Sequence, residues 1–187
     1  MTGLTREQVR TSRRIALVLR HRPESAGLTL DANGWVPVAD LLAALGITRD
    51  ELDAVVEHND KSRFAVTHRD GADWIRASQG HSRRVSVDLG LPPADPPPAL
   101  FHGTPRANLE SIMSAGLRSR SRDHVHLSSG VPTALLVGRR RSAEVVVLRV
   151  AAGAMAAAGH VFHLSANGIW LTPDVPPRYL MLEATNP

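Results

Sequence analysis

The sequence predicts an α+β protein in two parts, and three observations support that prediction. Helical patterns followed by one hairpin pattern occupy residues 1–88, whereas short strand-like segments mixed with short helices occupy residues 99–187. Between them, residues 89–98 contain five prolines, which exclude a helix or an inner strand and indicate a stiff linker. A chain of 187 residues has room for one large domain or two small lobes.

The first predicted element is a helix that runs from residue 5 to about residue 19. Thr5 and Gln8 have the spacing of a capping box at its start, and Pro23 cannot continue it. Further along, the sequence predicts a short strand at 26–30, a turn at 31–34 and a helix at 38–45.

A second capping box, Thr48 with Glu51, predicts a helix that continues through His58. Apolar residues at 64–66 and 74–75 flank Asp70-Gly71, a dipeptide typical of a tight hairpin turn. Three helices followed by a hairpin indicate a winged-helix lobe over residues 1–88.

After the linker, two strand-like segments each carry a histidine, His102 and His126. Gly103 allows a tight turn or the close approach of a ligand, and Thr104 can cap a helix over 107–115. We therefore expect a strand, an anion-tolerant turn, a helix and a second strand to bring two imidazoles together. The alternative is that each histidine simply packs at a strand end.

The remaining predicted elements are short. They comprise a helix at 132–137, a buried strand at 144–150, a helical or turn-like segment at 151–159, and strands at 161–162, 169–171 and 179–181.

Composition excludes several classes of site. The chain has no cysteine, so disulfides, thiolate metal sites and thiol nucleophiles are excluded. The sequence contains no Walker-type glycine-rich loop, dinucleotide-binding fingerprint, zinc-protease motif or nucleophile elbow, and we expect no metal. The N-terminus has no apolar core typical of a signal peptide, and no apolar run approaches membrane-spanning length. These features predict a cytoplasmic protein without a membrane partner.

The basic residues are almost all arginine, Lys61 being the only lysine, and the formal net charge is +4. Arginine suits phosphate recognition because its guanidinium makes bidentate hydrogen bonds. Each basic cluster also has an ordinary interpretation. Residues 20–22 can be a charged helix cap, residues 61–63 a solvated strand edge, and residues 139–141 a solvated loop.

Seven motifs follow one another along the chain. They are Leu19-Arg20-His21, residues 58–64 (HNDKSRF), residues 75–82 (IRASQGHS), His102-Gly103-Thr104, Val125-His126-Leu127-Ser128, Val137-Gly138 with Arg140, and residues 167–171 (NGIWL). In this order they resemble the NAD-dependent RNA 2′-phosphotransferase family over nearly the whole chain. Each motif is weak alone, but seven in register are specific.

The resemblance implies a winged-helix N-terminal lobe, the linker 89–98, and an ADP-ribosyltransferase-like lobe over 99–187. It implies an RNA substrate with an internal 2′-phosphate, which attacks the nicotinamide ribose of NAD so that nicotinamide leaves. The ribose 2″-hydroxyl then attacks phosphorus, giving RNA with a 2′-hydroxyl and ADP-ribose 1″,2″-cyclic phosphate, without a metal.

The resemblance also assigns residues. Arg20, His21, Arg63 and Arg140 match the catalytic set, and Lys61 matches an assisting lysine. The match for the pyrophosphate and adenosine side of the NAD site is His102, Gly103 and Thr104. For the ribose and nicotinamide side it is His126, Ser128, Asn167 and Gly168.

The residues agree with this chemistry. Ile169 stands where many ADP-ribosyltransferases hold a glutamate, and a phosphate nucleophile needs no base. Arginines suit the negative charge that grows on phosphorus, and His21 is the candidate for proton transfer. One departure is Arg141-Ser142, where the family usually has His-Gly, so the choice of Arg140 among residues 139–141 rests on its register with Val137-Gly138.

Two other functions fit the same sequence. One is an ADP-ribosyltransferase that modifies terminal phosphates of RNA or DNA and stops after the first step. The other is a non-catalytic winged-helix protein that binds nucleic acid. We expect a monomer in each case.

Overall fold

A computed structural model of the protein describes residues 4–57, 63–85 and 87–184. The chain forms two compact units, Met1–Gly90 and Leu91–Pro187. Both helices and strands occur in each unit, so the protein is of the α+β class. Within the described ranges, no helix is both long enough and apolar enough to cross a membrane.

The described residues of the first unit form three α-helices and a small antiparallel sheet. The helices are α1 (Arg6–Arg20), α2 (Val38–Leu45) and α3 (Arg49–Glu57), and the strands are β1 (Val36–Pro37), β2 (Phe64–Arg69) and β3 (Ala72–Ala77). The strand order is β1-β3-β2. The buried sides of the helices and of the sheet form one apolar core, whose fully buried members include Ile15, Leu41 and Ile75.

Local sequence signals set the ends of these elements. In the capping box of α1, Gln8 N–H donates to Thr5 Oγ1 and Thr5 N–H donates to Gln8 Oε1. The Thr48–Glu51 box at α3 is formed in the same way. Asp70 and Gly71, with φ of 53° and 75°, close the hairpin between β2 and β3 in the conformation that a two-residue turn requires. Both capping boxes and the hairpin are therefore confirmed, whereas His58 lies outside the described residues.

The predicted strand at 26–30 is wrong. The chain leaves α1 through a 3₁₀ helix, Pro23–Ala26, which ends at Gly27 with a left-handed φ of 66°. This glycine turns the chain, and no strand of the described sheet includes Leu28.

The second unit is built from short strands and three small helices. The helices are α4 (Leu109–Ala115), α5 (Val131–Gly138) and α6 (Ala152–Ala157). The strands are β4 (Leu100–Pro105), β5 (Leu117–Arg118), β6 (Val125–Leu127), β7 (Val145–Val150), β8 (His163–Leu164), β9 (Trp170–Thr172), β10 (Asp174–Val175) and β11 (Leu180–Leu182).

Two three-stranded antiparallel sheets form the body of this unit, in the orders β11-β7-β4 and β6-β9-β8. The pair β10-β5 is separate. Phe101 and Ser128 join β4 to the end of β6 by two backbone hydrogen bonds of 2.8 Å. The apolar core includes the fully buried Leu100, Leu148 and Met155. The predicted strand at 161–162 is displaced to His163–Leu164, because Phe162 is buried in this core and pairs through its carbonyl with Ala94.

The proline-rich segment 89–98 crosses the boundary between the two units. Its second half is attached to the second unit, because Ala94 N–H donates to the Phe162 carbonyl and Gly153 N–H donates to the Pro98 carbonyl. His163 Nδ1 also donates to the carbonyl of Pro92. From Pro92 to Pro98 the segment is therefore held along the surface of the second unit.

Candidate active site

The first unit brings two of the predicted catalytic arginines together. Arg20 is the last residue of α1, and Arg63 directly precedes β2. Arg20 Nη2 lies 3.3 Å from the carbonyl oxygen of Arg63, to which it donates. Arg63 Nη1 donates in turn to Oγ of Ser12, which is fully buried on α1, at 3.2 Å. Arg20, at the end of α1, and Arg63, which contacts α1 through Ser12, are thus held side by side.

The segment that follows β3 fixes this pair through its backbone. Ser78 N–H donates to the carbonyl of Arg63 at 2.8 Å, and Ser82 N–H donates to the carbonyl of Arg20 at 2.9 Å. Main-chain hydrogen bonds are short and directional, so residues 78–82 set the separation of the two arginine backbones.

His21 caps the C-terminal end of α1, where its N–H donates to the carbonyl of Leu17 at 3.0 Å. It lies beside a second histidine, His81, which is only 3% exposed. Burial lowers the pKa of His81 to about 4, and the positive charges of Arg20, Arg76 and His21 act in the same direction. His81 is therefore neutral at pH 7.

Four polar side-chain atoms at the end of β3 and just after it are buried without a hydrogen-bond partner among the described residues. They are Nε of Arg76, Oε1 of Gln79, Nε2 of His81 and Oγ of Ser82. Buried polar groups in native proteins are nearly always hydrogen-bonded, so such a group of exceptions indicates a place where a polar ligand or water completes the bonding. Two of the four residues lie beside Arg20 and His21, because Ser82 N–H donates to the Arg20 carbonyl and the charges of Arg20 and His21 act on His81.

The other two predicted catalytic residues are not brought into this cluster by the described contacts. Lys61 lies outside the described residues. Arg140 belongs to the second unit, in the exposed turn after α5, where its N–H donates to the carbonyl of Val137. That Arg140 acts with Arg20 and Arg63 stays a prediction.

The second unit places the two predicted histidines together. His102 Nδ1 donates to the backbone carbonyl of His126 at 3.1 Å, which leaves Nε2 of His102 as an acceptor in the neutral ring. Ser128, which is buried, is joined to Phe101 beside them. The segments that carry His102 and His126 are therefore neighbours, as predicted, and the ring of His102 contacts the backbone of His126.

This histidine pair is surrounded by positive charge. Arg122 Nη1 donates to Nδ1 of His126 at 2.6 Å. Burial lowers the pKa of His102, and the charge of Arg141 lowers it further. Burial and the charge of Arg141 also lower the pKa of Arg122. Arg122 and Arg141 therefore lie near His102 and His126, and this part of the unit suits an anion.

The expected roles of Gly103 and Thr104 in a turn and a helix cap are wrong. Both residues lie within β4, and α4 begins later, at Leu109. A Cβ at Gly103 would overlap the carbonyl of Ala134 on α5, so the glycine permits the helix to pack closely on the strand. Thr104 is buried, and its Oγ1 accepts from Asn108 Nδ2 at 3.4 Å.

Asn167 and Gly168 form the turn between β8 and β9, as the sequence predicts. Gly168 N–H donates to the Ser165 carbonyl, and Gly168 has a φ of 74°. Oγ of the buried Ser165 lies 2.7 Å from Oδ1 of Asn167 and 2.8 Å from the carbonyl oxygen of Ile169. The side chain of Asn167 is thereby oriented by the turn itself.

Sequence reasoning gave no role to Ser12, His81 or Arg122. His81 belongs to the motif at 75–82, which draws attention to this segment but does not indicate that His81 is buried. Neither Ser12 nor Arg122 stands in a recognisable pattern, and both are identified only by contacts with Arg63 and His126. In the ranges that the structure describes, no group of three or more His, Cys, Asp or Glu residues could hold a metal ion.

Comparison with known proteins shows extended similarity. Residues 6–174 match the model of the family described as "RNA 2′-phosphotransferase, Tpt1 / KptA family". A "Probable RNA 2′-phosphotransferase" of Streptomyces griseus is 51% identical over 187 residues, which cover 95% of this chain and 97% of that protein. A protein of Streptomyces coelicolor with the same description is 52% identical, and the match covers 94% of this chain and 96% of that protein. Another, of Rhizobium leguminosarum, is 46% identical, and the match covers 96% of this chain and 97% of that protein. The chain therefore belongs to the RNA 2′-phosphotransferase family.

Proposed function

We propose that the protein is an RNA 2′-phosphotransferase that removes an internal 2′-phosphate from RNA by transferring it to NAD. The observation that carries this proposal is the family match over residues 6–174, together with the backbone hydrogen bonds that hold the matching residues Arg20 and Arg63 side by side. NAD is consumed as a co-substrate, and RNA is the phosphorylated substrate.

The element order supports the proposed lobes. In the first unit, three helices and a β-hairpin follow one another, as in a winged-helix lobe. In the second unit, the two small antiparallel sheets are consistent with an ADP-ribosyltransferase-like lobe. We assign the RNA-binding part to the first unit and the NAD-binding part to the second.

In the first step, an oxygen of the RNA 2′-phosphate forms a bond to C1″ of the nicotinamide ribose. The glycosidic C–N bond breaks, and nicotinamide leaves with the bonding electron pair. The nucleophile is already an anion, so the protein needs to position it and balance its charge. Arg20 and Arg63 bind the phosphate in this proposal, and the family match adds Lys61 and Arg140.

In the second step, the ribose 2″-hydroxyl of the RNA-phospho-ADP-ribose intermediate attacks phosphorus. The bond from phosphorus to the RNA 2′-oxygen breaks, so that oxygen must gain a proton while the attacking hydroxyl loses one. His21 is the candidate for this proton transfer because an imidazole both accepts and donates near neutral pH. The products are RNA with a 2′-hydroxyl and ADP-ribose 1″,2″-cyclic phosphate.

The polar groups of the second unit fit NAD chemically. The charges of Arg122 and Arg141 near His102 suit the pyrophosphate, and His102 with Thr104 is assigned to that side of the dinucleotide. His126, Ser128, Asn167 and Gly168 are assigned to the ribose and nicotinamide side. Gly103 contributes indirectly, by allowing α5 to pack on β4.

The test is incubation of the protein with NAD and a short oligonucleotide carrying one internal 2′-phosphate. We expect nicotinamide release, loss of the 2′-phosphate and formation of the cyclic ADP-ribose phosphate. Stable attachment of ADP-ribose to terminally phosphorylated RNA or DNA, without removal of the 2′-phosphate, would instead show an ADP-ribosyltransferase that modifies terminal phosphates. RNA binding without nicotinamide release would show a non-catalytic binder.

Arg140→Ala should slow the second step and accumulate the RNA-phospho-ADP-ribose intermediate, because charge on phosphorus is then less well stabilised. Arg139→Ala is the matched control, since it removes the same charge from the same exposed turn. Full activity of Arg140→Ala with loss of activity in Arg139→Ala would show that the assigned register is wrong.

A further inference from the structure

The exposed face of α1 carries a line of arginines that ends at Arg20. Arg6, Arg10 and Arg13 are all exposed, and their positions are i, i+4 and i+7, with Arg20 at i+14. With 3.6 residues per turn, these four residues lie within roughly 80° of one another around the helix axis. The buried residues Ile15 and Val18 occupy the opposite face. We call Arg6, Arg10 and Arg13 the arginine stripe.

The richness of the chain in arginine does not account for this stripe. Five arginines and one acidic residue, Glu7, stand on α1. The other five described α-helices carry a single arginine between them, Arg49. Among the ion pairs that the described residues form, none involves a member of the stripe. Its positive charge is therefore concentrated on one helix face and directed to solvent.

We propose that the arginine stripe binds successive phosphates of the RNA strand that flanks the 2′-phosphorylated nucleotide. This inference rests on the proposed function, because it takes Arg20 as the residue that meets the 2′-phosphate. The stripe then forms a path along α1 for the neighbouring nucleotides.

The spacing fits a single strand. The rise from Arg6 to Arg10 is about 6 Å and that from Arg10 to Arg13 about 4.5 Å, which is comparable to the separation of neighbouring phosphates along an RNA strand. From Arg13 to Arg20 the rise is about 10 Å. Leu17, which is 48% exposed, lies between these two arginines on the same face and offers an apolar contact to a base or ribose.

This arrangement specifies the class of RNA. Phosphate contacts do not read sequence, so the stripe favours substrates with several nucleotides on one side of the 2′-phosphate, whatever their sequence. A 2′-phosphorylated dinucleotide does not reach the stripe and is used without its help. The preference for long over short RNA should then weaken as salt increases, because each phosphate contact releases counterions.

The experiment compares the wild-type chain with the triple variant R6Q/R10Q/R13Q. Glutamine keeps the helix propensity of α1, and circular dichroism with thermal unfolding verifies that the fold is intact. The matched control, R106Q/R118Q/R149Q, removes the same charge from exposed arginines of the second unit. The kcat/KM value is measured with a 2′-phosphorylated oligonucleotide of about ten nucleotides and with a 2′-phosphorylated dinucleotide, over a range of salt concentrations.

We expect the ratio of kcat/KM for the long substrate to kcat/KM for the short substrate to fall by about tenfold or more in the stripe variant. The slope of log(kcat/KM) against log[salt] for the long substrate should become shallower by about 2. The control variant should keep both this ratio and the slope. An equal loss in both variants, or none in the stripe variant, would overturn the proposal.

Two further measurements separate this inference from its premises. If the wild-type chain releases nicotinamide with neither substrate, the proposed function fails. The stripe is then tested by fluorescence anisotropy of the labelled long oligonucleotide, which compares the RNA affinity and its salt dependence between the wild type, the stripe variant and the control variant. Binding to vesicles containing phosphatidylserine is measured in parallel. Loss of vesicle binding in the stripe variant, with RNA binding and its salt slope unchanged, would assign the stripe to a membrane surface and overturn the proposal.

Discussion

At the scale of single residues, His81 has an environment that differs strongly from that of a free histidine. It is buried, its Nε2 has no hydrogen-bond partner among the described residues, and three positively charged groups act on it. A neutral imidazole beside Arg20 and His21 adds no positive charge to this cluster.

The buried state of His81 predicts a specific pH dependence of stability. Its pKa is about 4 in the folded protein and about 6.5 in an unfolded chain. As pH falls, the unfolded chain gains the proton first, so the free energy of unfolding decreases between about pH 6.5 and pH 4. The loss from this one group is at most about 3 kcal/mol.

His81→Gln should therefore reduce the loss of stability between pH 6.5 and pH 4, as measured by denaturant unfolding at several pH values. His160→Gln is the matched control, since it removes a partly exposed histidine and keeps His81. Identical pH profiles for the wild type and His81→Gln would contradict the assignment.

At the scale of elements, α1 and α3 pack in the same unit but carry opposite charge. On α3 there are four carboxylates and one arginine, Arg49, which pairs with Asp53 at 2.9 Å and with Asp73 at 2.6 Å. In a typical winged-helix protein the corresponding helix enters the major groove of DNA. Here the negative charge of α3 repels phosphate, so we expect nucleic acid to approach α1 and not α3.

The contact of α5 with β4 depends on Gly103. Gly103→Ala places a methyl group against the backbone carbonyl of Ala134, and the strand and helix must separate. We expect destabilisation of about 2 kcal/mol or more, measured by urea unfolding. Gly130→Ala, at the start of the same helix, meets only Pro132 at 3.7 Å and should cost less than about 1 kcal/mol. Equal effects of the two substitutions would show that the close packing at Gly103 contributes nothing.

The elements that sequence reasoning predicted well are those that local chemistry determines. Two capping boxes and the Asp70-Gly71 turn are specified by residues within a few positions of each other. Thr104 was misinterpreted because its segment pairs with a distant strand, β7, where Thr104 lies opposite Val146. The strand at 26–30 failed because Gly27 follows a 3₁₀ turn that alternation does not reveal.

The candidate site was predictable in part for the same reason. The motifs identify Arg20, Arg63, His102 and His126 as candidate site residues. Only the folded structure shows which other residues contact them. Ser12 supports Arg63 from a different element, and the electrostatic effect of Arg141 on His102 crosses from the turn after α5 to β4. No spacing rule in the sequence relates these pairs.

At the scale of the whole molecule, each compact unit has its own apolar core. Leu41 is fully buried in the first core and Leu148 in the second. Leu→Ala in such positions costs about 2–5 kcal/mol. A domain with its own core can unfold locally without its neighbour. Each of the two substitutions should therefore destabilise mainly the unit that contains it.

We expect Leu148→Ala to accelerate amide hydrogen exchange chiefly in β4 and β7, and Leu41→Ala to do so chiefly in α1 and β3. Hydrogen exchange followed by mass spectrometry of peptides from both units measures this difference. Uniform acceleration across both units in either variant would show that the chain unfolds as one cooperative body.

The hydrogen bonds from residues 78 and 82 have a consequence for sequence drift. Both donors are peptide N–H groups, so these two hydrogen bonds do not themselves require a particular side chain at either position. A small residue other than proline keeps both donors. Evolution, or a library that randomises these two codons, can therefore change the side chains at positions 78 and 82 while both hydrogen bonds to the backbones of Arg20 and Arg63 are kept.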